Sequence, residues 1–299
     1  MRVFVTGASG FVGSSVTRQL IAAGSQVVGL ARSDKSAAAI EANGGSVVRG
    51  EIGDLDLLAG AAREADAVIH TAFIHDFSNY KAAADADKAA IDAIGNALSG
   101  SGKPFIVTAG VGVTPKGPLR TEEDPTNANI GRMSEVAGLA FAAEGVKAMA
   151  MRLPPSVHGP HDHGFVASLI RIAREKGNSA YVGEGSNRWP AVWRDDAAHA
   201  FVLALEKGVA GSRYHAVGDE GVPFRDIASV IGRKLGVPVI SVTPEEAPAR
   251  FGWMGHFAQF DVASSSALTQ SRLGWRPEGP GLLEDMEHGT YFEPQTSAA

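Results

Sequence analysis

The chain has 299 residues, 44% of them hydrophobic, which is enough to bury a sizeable core and excludes general disorder. Lys and Arg total 27 against 33 Asp and Glu, and the net charge of −6 argues against a phosphate-backbone binder, which needs a basic face. With no cysteine, disulfides, thiolate nucleophiles, iron–sulfur clusters and Cys-type zinc sites are excluded. Met1–Val5 runs straight into a strand pattern, so no signal peptide is expected, and no apolar run approaches the roughly 18 residues of a membrane span. A soluble, cytoplasmic protein is the expectation.

Strands are predicted over Arg2–Thr6, Gln26–Leu30, Ser46–Arg49, Ala67–His70, Phe105–Thr108 and Lys147–Arg152. Between the first two, Val12, Val16 and Leu20 recur every fourth residue, an amphipathic helix that Gly24 ends. Ala82–Ser99 is an Ala-rich helix with Ile91, Ile94 and Leu98 on one stripe, and Ser134–Glu144 is a short helix of small residues. Six strands with interposed helices imply an α/β, doubly wound parallel sheet. After Arg152 prolines and glycines cluster, then strand-like pieces (Ala191–Trp193, Arg213–Ala216) alternate with helices (Asp196–Glu206, Phe224–Lys234). Residues 153–299 therefore read as a smaller, partly interleaved lobe with segments returning to the sheet of residues 1–152, and 294–299 as a frayed tail.

The motif Thr6-Gly7-Ala8-Ser9-Gly10-Phe11-Val12-Gly13 follows the first strand and opens the first helix. Gly7 permits a tight turn, Gly10 lets backbone approach a pyrophosphate, and Gly13 allows close helix–strand packing. The helix N-terminus then offers unpaired N–H groups to the anion. The motif makes residues 1–152 a dinucleotide-binding Rossmann domain, with the second lobe for substrate. About 20 residues on, an acidic residue would grip a ribose 2′-hydroxyl, but the sequence reads Leu30-Ala31-Arg32-Ser33. Arg32 can fork onto a 2′-phosphate with Ser33 donating beside it, whereas Asp34 is expected to cap the next helix. The expected cofactor is NADP(H).

Thr6–Gly13, Gly53-Asp54-Leu55, Val68–Ala72, Arg152–Pro160, Val192–Ala197 and Leu273–Pro277 stand in the order found in the extended short-chain dehydrogenases/reductases. Over nearly its whole length the chain resembles the NAD-dependent epimerase/dehydratase superfamily, and within it the atypical 3β-hydroxysteroid dehydrogenase-like group. The resemblance implies that Asp54 and Leu55 flank the adenine and that Thr71, Ala72 and Phe73 line the ribose and pyrophosphate. It sets Thr108 under the nicotinamide ribose, Pro154, Ser156 and Val157 against the nicotinamide, and Asp196 at a helix cap.

That family donates a proton from a Tyr four residues before a Lys, with a Ser ending the fifth strand. Here Tyr80, Tyr181, Tyr214 and Tyr291 all lack a Lys four positions on. Aligning Glu135 with the family's helix Glu puts Asn127 at the Tyr position and Gly131 at the Lys position, with Arg132 one residue away. Gly110 takes the Ser register.

Residues able to replace these parts follow. His75, with Asp76 to orient it, occupies the loop after the fourth strand, where a near-neutral His protonates a nascent alkoxide. His163 in His158-Gly159-Pro160-His161-Asp162-His163 points toward the substrate cleft, His158 belongs to a structural turn, and no metal site is expected. Arg132 supplies a cation for the oxyanion or the ribose, whereas His70, ending a buried strand, satisfies a core hydrogen bond. Trp189, Trp193, Trp253 and Phe257 are either substrate pocket or ordinary core. The expected function is an NADP(H)-dependent oxidoreductase on a carbonyl or alcohol. A non-catalytic dinucleotide sensor and a redox-neutral isomerase or lyase stay open as alternatives. A homodimer through Ala82–Ser99 and Ser134–Glu144 is expected, with a small-molecule substrate and neither nucleic acid nor membrane as partner.

Overall fold

The computed structural model describes residues 1–75, 79–112, 119–125 and 132–293. Its first half alternates β1 (Arg2–Thr6), α1 (Phe11–Ala22), β2 (Gln26–Ala31), α2 (Asp34–Ala42), β3 (Ser46–Arg49), α3 (Leu55–Glu64), β4 (Ala67–His70), α4 (Tyr80–Leu98), β5 (Pro104–Gly110), α5 (Ser134–Ala140) and β6 (Lys147–Leu153). Then follow β7 (Ser156–His158), α6 (Phe165–Lys176), β8 (Ser179–Val182), β9 (Arg188–Trp193), α7 (Arg194–Lys207) and β10 (Arg213–His215). The chain closes with β11 (Asp219–Pro223), α8 (Phe224–Leu235), β12 (Val239–Val242), α9 (Ala247–Phe251), α10 (Ala267–Leu273) and α11 (Leu282–His288).

Seven parallel strands in the order β10-β6-β5-β4-β1-β2-β3 form a doubly wound Rossmann sheet. Side chains of β1 alternate between two cores: Val3 and Val5 meet α1 and α7 through Val16, Leu20 and Phe201, while Phe4 faces α3 and α4 through Leu58, Ile91 and Ile94. Strand order reverses between β1 and β4, which opens a crevice at their carboxyl ends. A third core, around Trp189, Phe224 and Phe251, belongs to the second lobe and its three-stranded sheet β11-β9-β7.

Several boundaries and caps differ from expectation for local reasons. The helix expected from Ala82 begins at Tyr80, and the one expected over Ser134–Glu144 is α-helical to Ala140 and then tightens to a 3-10 turn. Ser33, not Asp34, caps α2: its hydroxyl accepts the Ser36 N–H, and Asp34 instead pairs with Arg49 at 2.7 Å. Asp196 caps no helix. Lying in the first turn of α7, it accepts the N–H groups of Glu278 (3.1 Å) and Gly279 (2.8 Å), tying the C-terminal segment to that helix.

Small residues of α4 and α5 are spent within the chain. A Cβ at Gly95 would sit 2.2 Å from the Phe141 ring, and Ala83, Ala84 and Ala90 are buried. The outer face of α4 carries Lys81–Asp85 and Lys88–Asp92 pairs. No helix among the described residues is long and apolar enough to cross a membrane.

Candidate active site

One cleft of about 1160 Å³ runs along the carboxyl edge of the sheet, larger than the roughly 300–1,000 Å³ of a single-ligand pocket. The ends of six of the seven strands contribute. Arg32 and Gly50–Ile52 follow β2 and β3; Gly7, Ser9, Gly10, Phe11 and Val12 follow β1. Thr71–His75 follow β4, Thr108–Val111 end β5, and Leu153–Pro155 and Val157 follow β6. The far wall comes from the second lobe: Asp162–Phe165, Ser168, Trp189, Trp253, Phe257, Phe260 and Val262.

The glycine loop fits a dinucleotide. Gly7 has a φ of 72°, a left-handed turn in which its Cβ would lie 2.7 Å from the Ala72 nitrogen. At Gly13 a Cβ would sit 2.1 Å from the Gly7 carbonyl oxygen, so helix and loop close only on glycine. No side chain caps α1 and no acid stands in its first turn, leaving its N–H groups and dipole to an anion in the cleft. Thr71 braces the loop from behind, its hydroxyl donating to the Thr6 carbonyl at 2.7 Å.

At the β2 end, Arg32 is exposed and makes no hydrogen bond or ion pair among the described residues, while Ser36 and Glu51 share its wall. Ser33 stands beside it with its hydroxyl committed to the α2 cap, outside the cleft lining. Asp54 and Leu55 line a separate shallow depression; Asp54 accepts the Glu51 N–H at 2.7 Å. At the β6 end Ser156 is buried behind the wall, and its hydroxyl has no hydrogen-bond partner among the described residues.

Between these ends lies a polar cluster. Arg132 donates to the Thr108 carbonyl (3.0 Å) and the Ser134 hydroxyl (2.7 Å), stacks 4.0 Å over the Phe73 ring, and approaches Asp87 at 3.8 Å. The Ser134 hydroxyl donates in turn to Asp87, whose other oxygen meets His70 Nε2 at 3.2 Å; His70 Nδ1 reaches the Thr6 hydroxyl at 2.9 Å. Thr108 donates its own hydroxyl to the His70 carbonyl at 2.8 Å. Burial pushes the Asp87 carboxyl up, but the His70 hydrogen bond, the Arg132 charge and the Ser134 hydroxyl outweigh it and hold Asp87 below its ordinary range. His70, wholly buried, is thus a core histidine, as its strand position implied.

His75, His163, Tyr80 and Arg132 all line the cleft around this cluster. Burial, then the charges of Arg132 and His163, lower the His75 pKa below the usual 6.5. Its ring meets Phe73 edge-on at 5.5 Å. His163 packs edge-on against Phe11 at 5.7 Å, on a turn in which His161 takes a left-handed φ of 67°. That turn is pinned by Asp162, which accepts the Gly164 N–H (2.6 Å) and the Tyr291 hydroxyl (2.5 Å). His158 is buried on Asp285 at 3.0 Å, and among the described residues no group of three or more His, Asp or Glu is placed to hold a metal. Asn127, Gly131 and Asp76 lie outside the described residues.

Sequence reading did not single out Tyr80, Asp87 or Ser134. Tyr80 begins α4 inside the cleft, where burial raises its phenol pKa against the lowering charge of Arg132. A signal existed: Asp87 interrupts the stripe of Ala83, Ala90, Ile91 and Ile94, and an acid on an apolar helix face implies a buried partner. Behind the cleft a second buried network had the same kind of signature. Arg152 grips Glu135 through two hydrogen bonds of 2.6 and 2.7 Å and contacts His215 at 3.1 Å.

An uncharacterized protein of Schizosaccharomyces pombe is 50% identical over 295 residues, covering 98% of this chain and all of that protein. The 2-alkyl-3-oxoalkanoate reductase of Stenotrophomonas maltophilia is 28% identical, with 80% of this chain and 77% of the reductase covered. Among solved structures, the dTDP-glucose 4,6-dehydratase DesIV of Streptomyces venezuelae, with NAD bound, shares the fold at a TM-score of 0.79 and 22% identity, covering 99% of this chain and 98% of that one. The family model for the NAD dependent epimerase/dehydratase family matches residues 3–217. With that match spanning most of the chain and a Rossmann sheet opening on a glycine-loop cleft, the protein belongs to the NAD-dependent epimerase/dehydratase family.

Proposed function

We propose that the protein is an NADP(H)-dependent oxidoreductase acting on a small carbonyl or alcohol without a Tyr-x-x-x-Lys pair. The observation that carries this reading is the continuity of one cleft from Arg32, across the glycine loop, to His75, Arg132 and His163. Arg32 would hold the 2′-phosphate with Ser33 beside it, and Asp54 and Leu55, in the neighbouring depression, would flank the adenine. Ser9, Gly10, Phe11 and Val12 hold the pyrophosphate with Thr71, Ala72 and Phe73. Thr108 would serve the second ribose, and Pro154, Ser156 and Val157 would back the nicotinamide.

When bound, a reduced nicotinamide would supply hydride chemistry, two electrons with one proton, for the carbonyl carbon. As the carbonyl π pair withdraws to oxygen, His75 in its imidazolium form gives that oxygen a proton, with His163 as the second donor. Arg132, fixed by Thr108, Ser134 and the Phe73 ring, cannot give up its proton at neutral pH and instead stabilises the developing negative charge. The lowered His75 pKa means that carbonyl reduction accelerates as pH falls, because the donating form fills only below that pKa.

Titration with NADPH and NADH, followed by a carbonyl and alcohol panel read at the nicotinamide absorbance, tests this. Equal affinities reject the NADP(H) preference. Tight NADPH binding with no turnover on any compound favours a dinucleotide sensor, the second reading that the missing Tyr–Lys pair supports. The proposal includes a homodimer through the outer faces of α4 and α5, where Val136 is 43% exposed, and a cytoplasmic location. Light scattering that returns the mass of one chain rejects the dimer.

A further inference from the structure

We propose that the second-lobe half of the cleft takes an uncharged, apolar body of ring size, so that the substrate is an apolar ring-bearing ketone or alcohol and not a nucleotide-linked sugar. The proposal rests on the oxidoreductase reading above and adds the chemical class of the substrate.

Two observations carry it. The first is an aromatic cage. Phe165, on the first turn of α6, is its hub, with ring centroids 5.7 Å from Trp189 and 5.5 Å from both Trp253 and Phe257. Phe260 extends it at 5.9 Å from Phe257. All five line the cleft, and Trp253 is 41% exposed. Tilted and edge-on rings present both faces and edges, which complement a flat apolar guest by offset and T-shaped contacts.

The second observation is charge. A nucleotide sugar carries a diphosphate, whose oxygens need cations or free N–H groups once out of water. The described residues lining this half include no Lys or Arg. Arg188, next to Trp189, lies outside the lining and is held by Asp261 through two side-chain contacts of 2.9 and 3.0 Å. Ahead of α6, the Asp162 side chain accepts the Gly164 N–H and the Tyr291 hydroxyl.

The experiment has one arm that needs no turnover. Intrinsic tryptophan fluorescence of the NADP+ complex is followed while 4-phenyl-2-butanone, acetone or UDP-glucose is added. We expect a saturable quench with 4-phenyl-2-butanone and none with UDP-glucose. Trp253→Ala should remove the quench while NADPH affinity and the circular dichroism spectrum stay at the unsubstituted values, showing that the fold is intact. In the turnover arm, kcat/KM for 4-phenyl-2-butanone should exceed that for acetone by about 100-fold, as pocket-filling apolar groups discriminate. A quench by the ketone without NADPH consumption supports the apolar site and sinks the oxidoreductase reading alone. A saturable response to UDP-glucose, or no response to the ketone, overturns the proposal.

Discussion

Along one wall of the cleft the lining is largely main chain at the ends of adjacent strands, the first turn of α1 and a loop that closes only on glycine, with the Arg32 side chain at its far end. Along the other they are side chains, gathered from segments spread between Asp162 and Val262. A backbone wall has one geometry, fixed by sheet hydrogen bonds, and serves a ligand part that never changes. A side-chain wall can be re-cut by substitution without disturbing the sheet, and so it can set what the protein accepts. His75, Tyr80 and Arg132 stand where the two walls meet.

The largest effect should come from breaking the backbone wall. In Gly13→Ala the new Cβ would sit 2.1 Å from the Gly7 oxygen and 2.8 Å from the Thr71 hydroxyl, and no flexible side-chain end is available to yield at the first of these. We expect loss of measurable NADPH binding by calorimetry and about 1–3 kcal/mol of destabilisation in urea, the usual cost of overpacking. Retained NADPH affinity would show that the loop is not the cofactor site.

Next comes the junction. His75→Ala should lower turnover by roughly 100-fold with NADPH affinity nearly intact, since a positioned acid contributes to the transition state and little to cofactor binding. The unsubstituted protein should reduce carbonyls faster as pH drops toward the lowered His75 pKa and level off below it, a dependence that His75→Ala abolishes. If turnover survives in both His75→Ala and His163→Ala but falls in Tyr80→Phe, the phenol at the start of α4 is the donor.

Arg32→Asp follows, weakening NADPH by about 1.5–3 kcal/mol, roughly 10- to 150-fold, through loss of one charge-assisted contact. NADH affinity should change far less, because the contact is to the 2′-phosphate. A parallel loss for both cofactors would mean that Arg32 serves a part they share.

The same contrast governs what the sequence disclosed. Val3, Val5 and Phe4 alternate along β1, and Gly7 and Gly13 fall at fixed spacing after it, so the sheet and its loop could be read locally. Arg132 stacking on Phe73, Ser134 meeting Asp87, and Phe165 meeting Trp253 and Phe257 are contacts between residues far apart in the chain or separated by a fold of the second lobe. No period encodes them. Ser33 and Asp34 exchanged roles for a smaller reason: Ser33 adopts the extended backbone of a cap residue, which leaves Asp34 inside the first turn and within reach of Arg49.

The smallest effect separates the two walls most cleanly. Phe257 is partly buried against the core of the second lobe and touches Phe165, Trp253 and Phe260 through ring edges and faces. Phe257→Leu keeps an apolar side chain of similar reach, so the core can close around it, and such swaps usually cost less than about 1.5 kcal/mol. A loss of about 1 kcal/mol would lower the melting temperature by only a few degrees in a chain this long. NADPH affinity should not change, since no strand of the seven-stranded sheet moves when a ring is exchanged in the far lobe. Affinity for an aromatic ketone should fall, because the lost ring contacts are worth about 0.5–1.5 kcal/mol beyond area alone. A drop in NADPH affinity as large as the drop in ketone affinity would show that the two walls act as one unit, and the division drawn between them would be wrong.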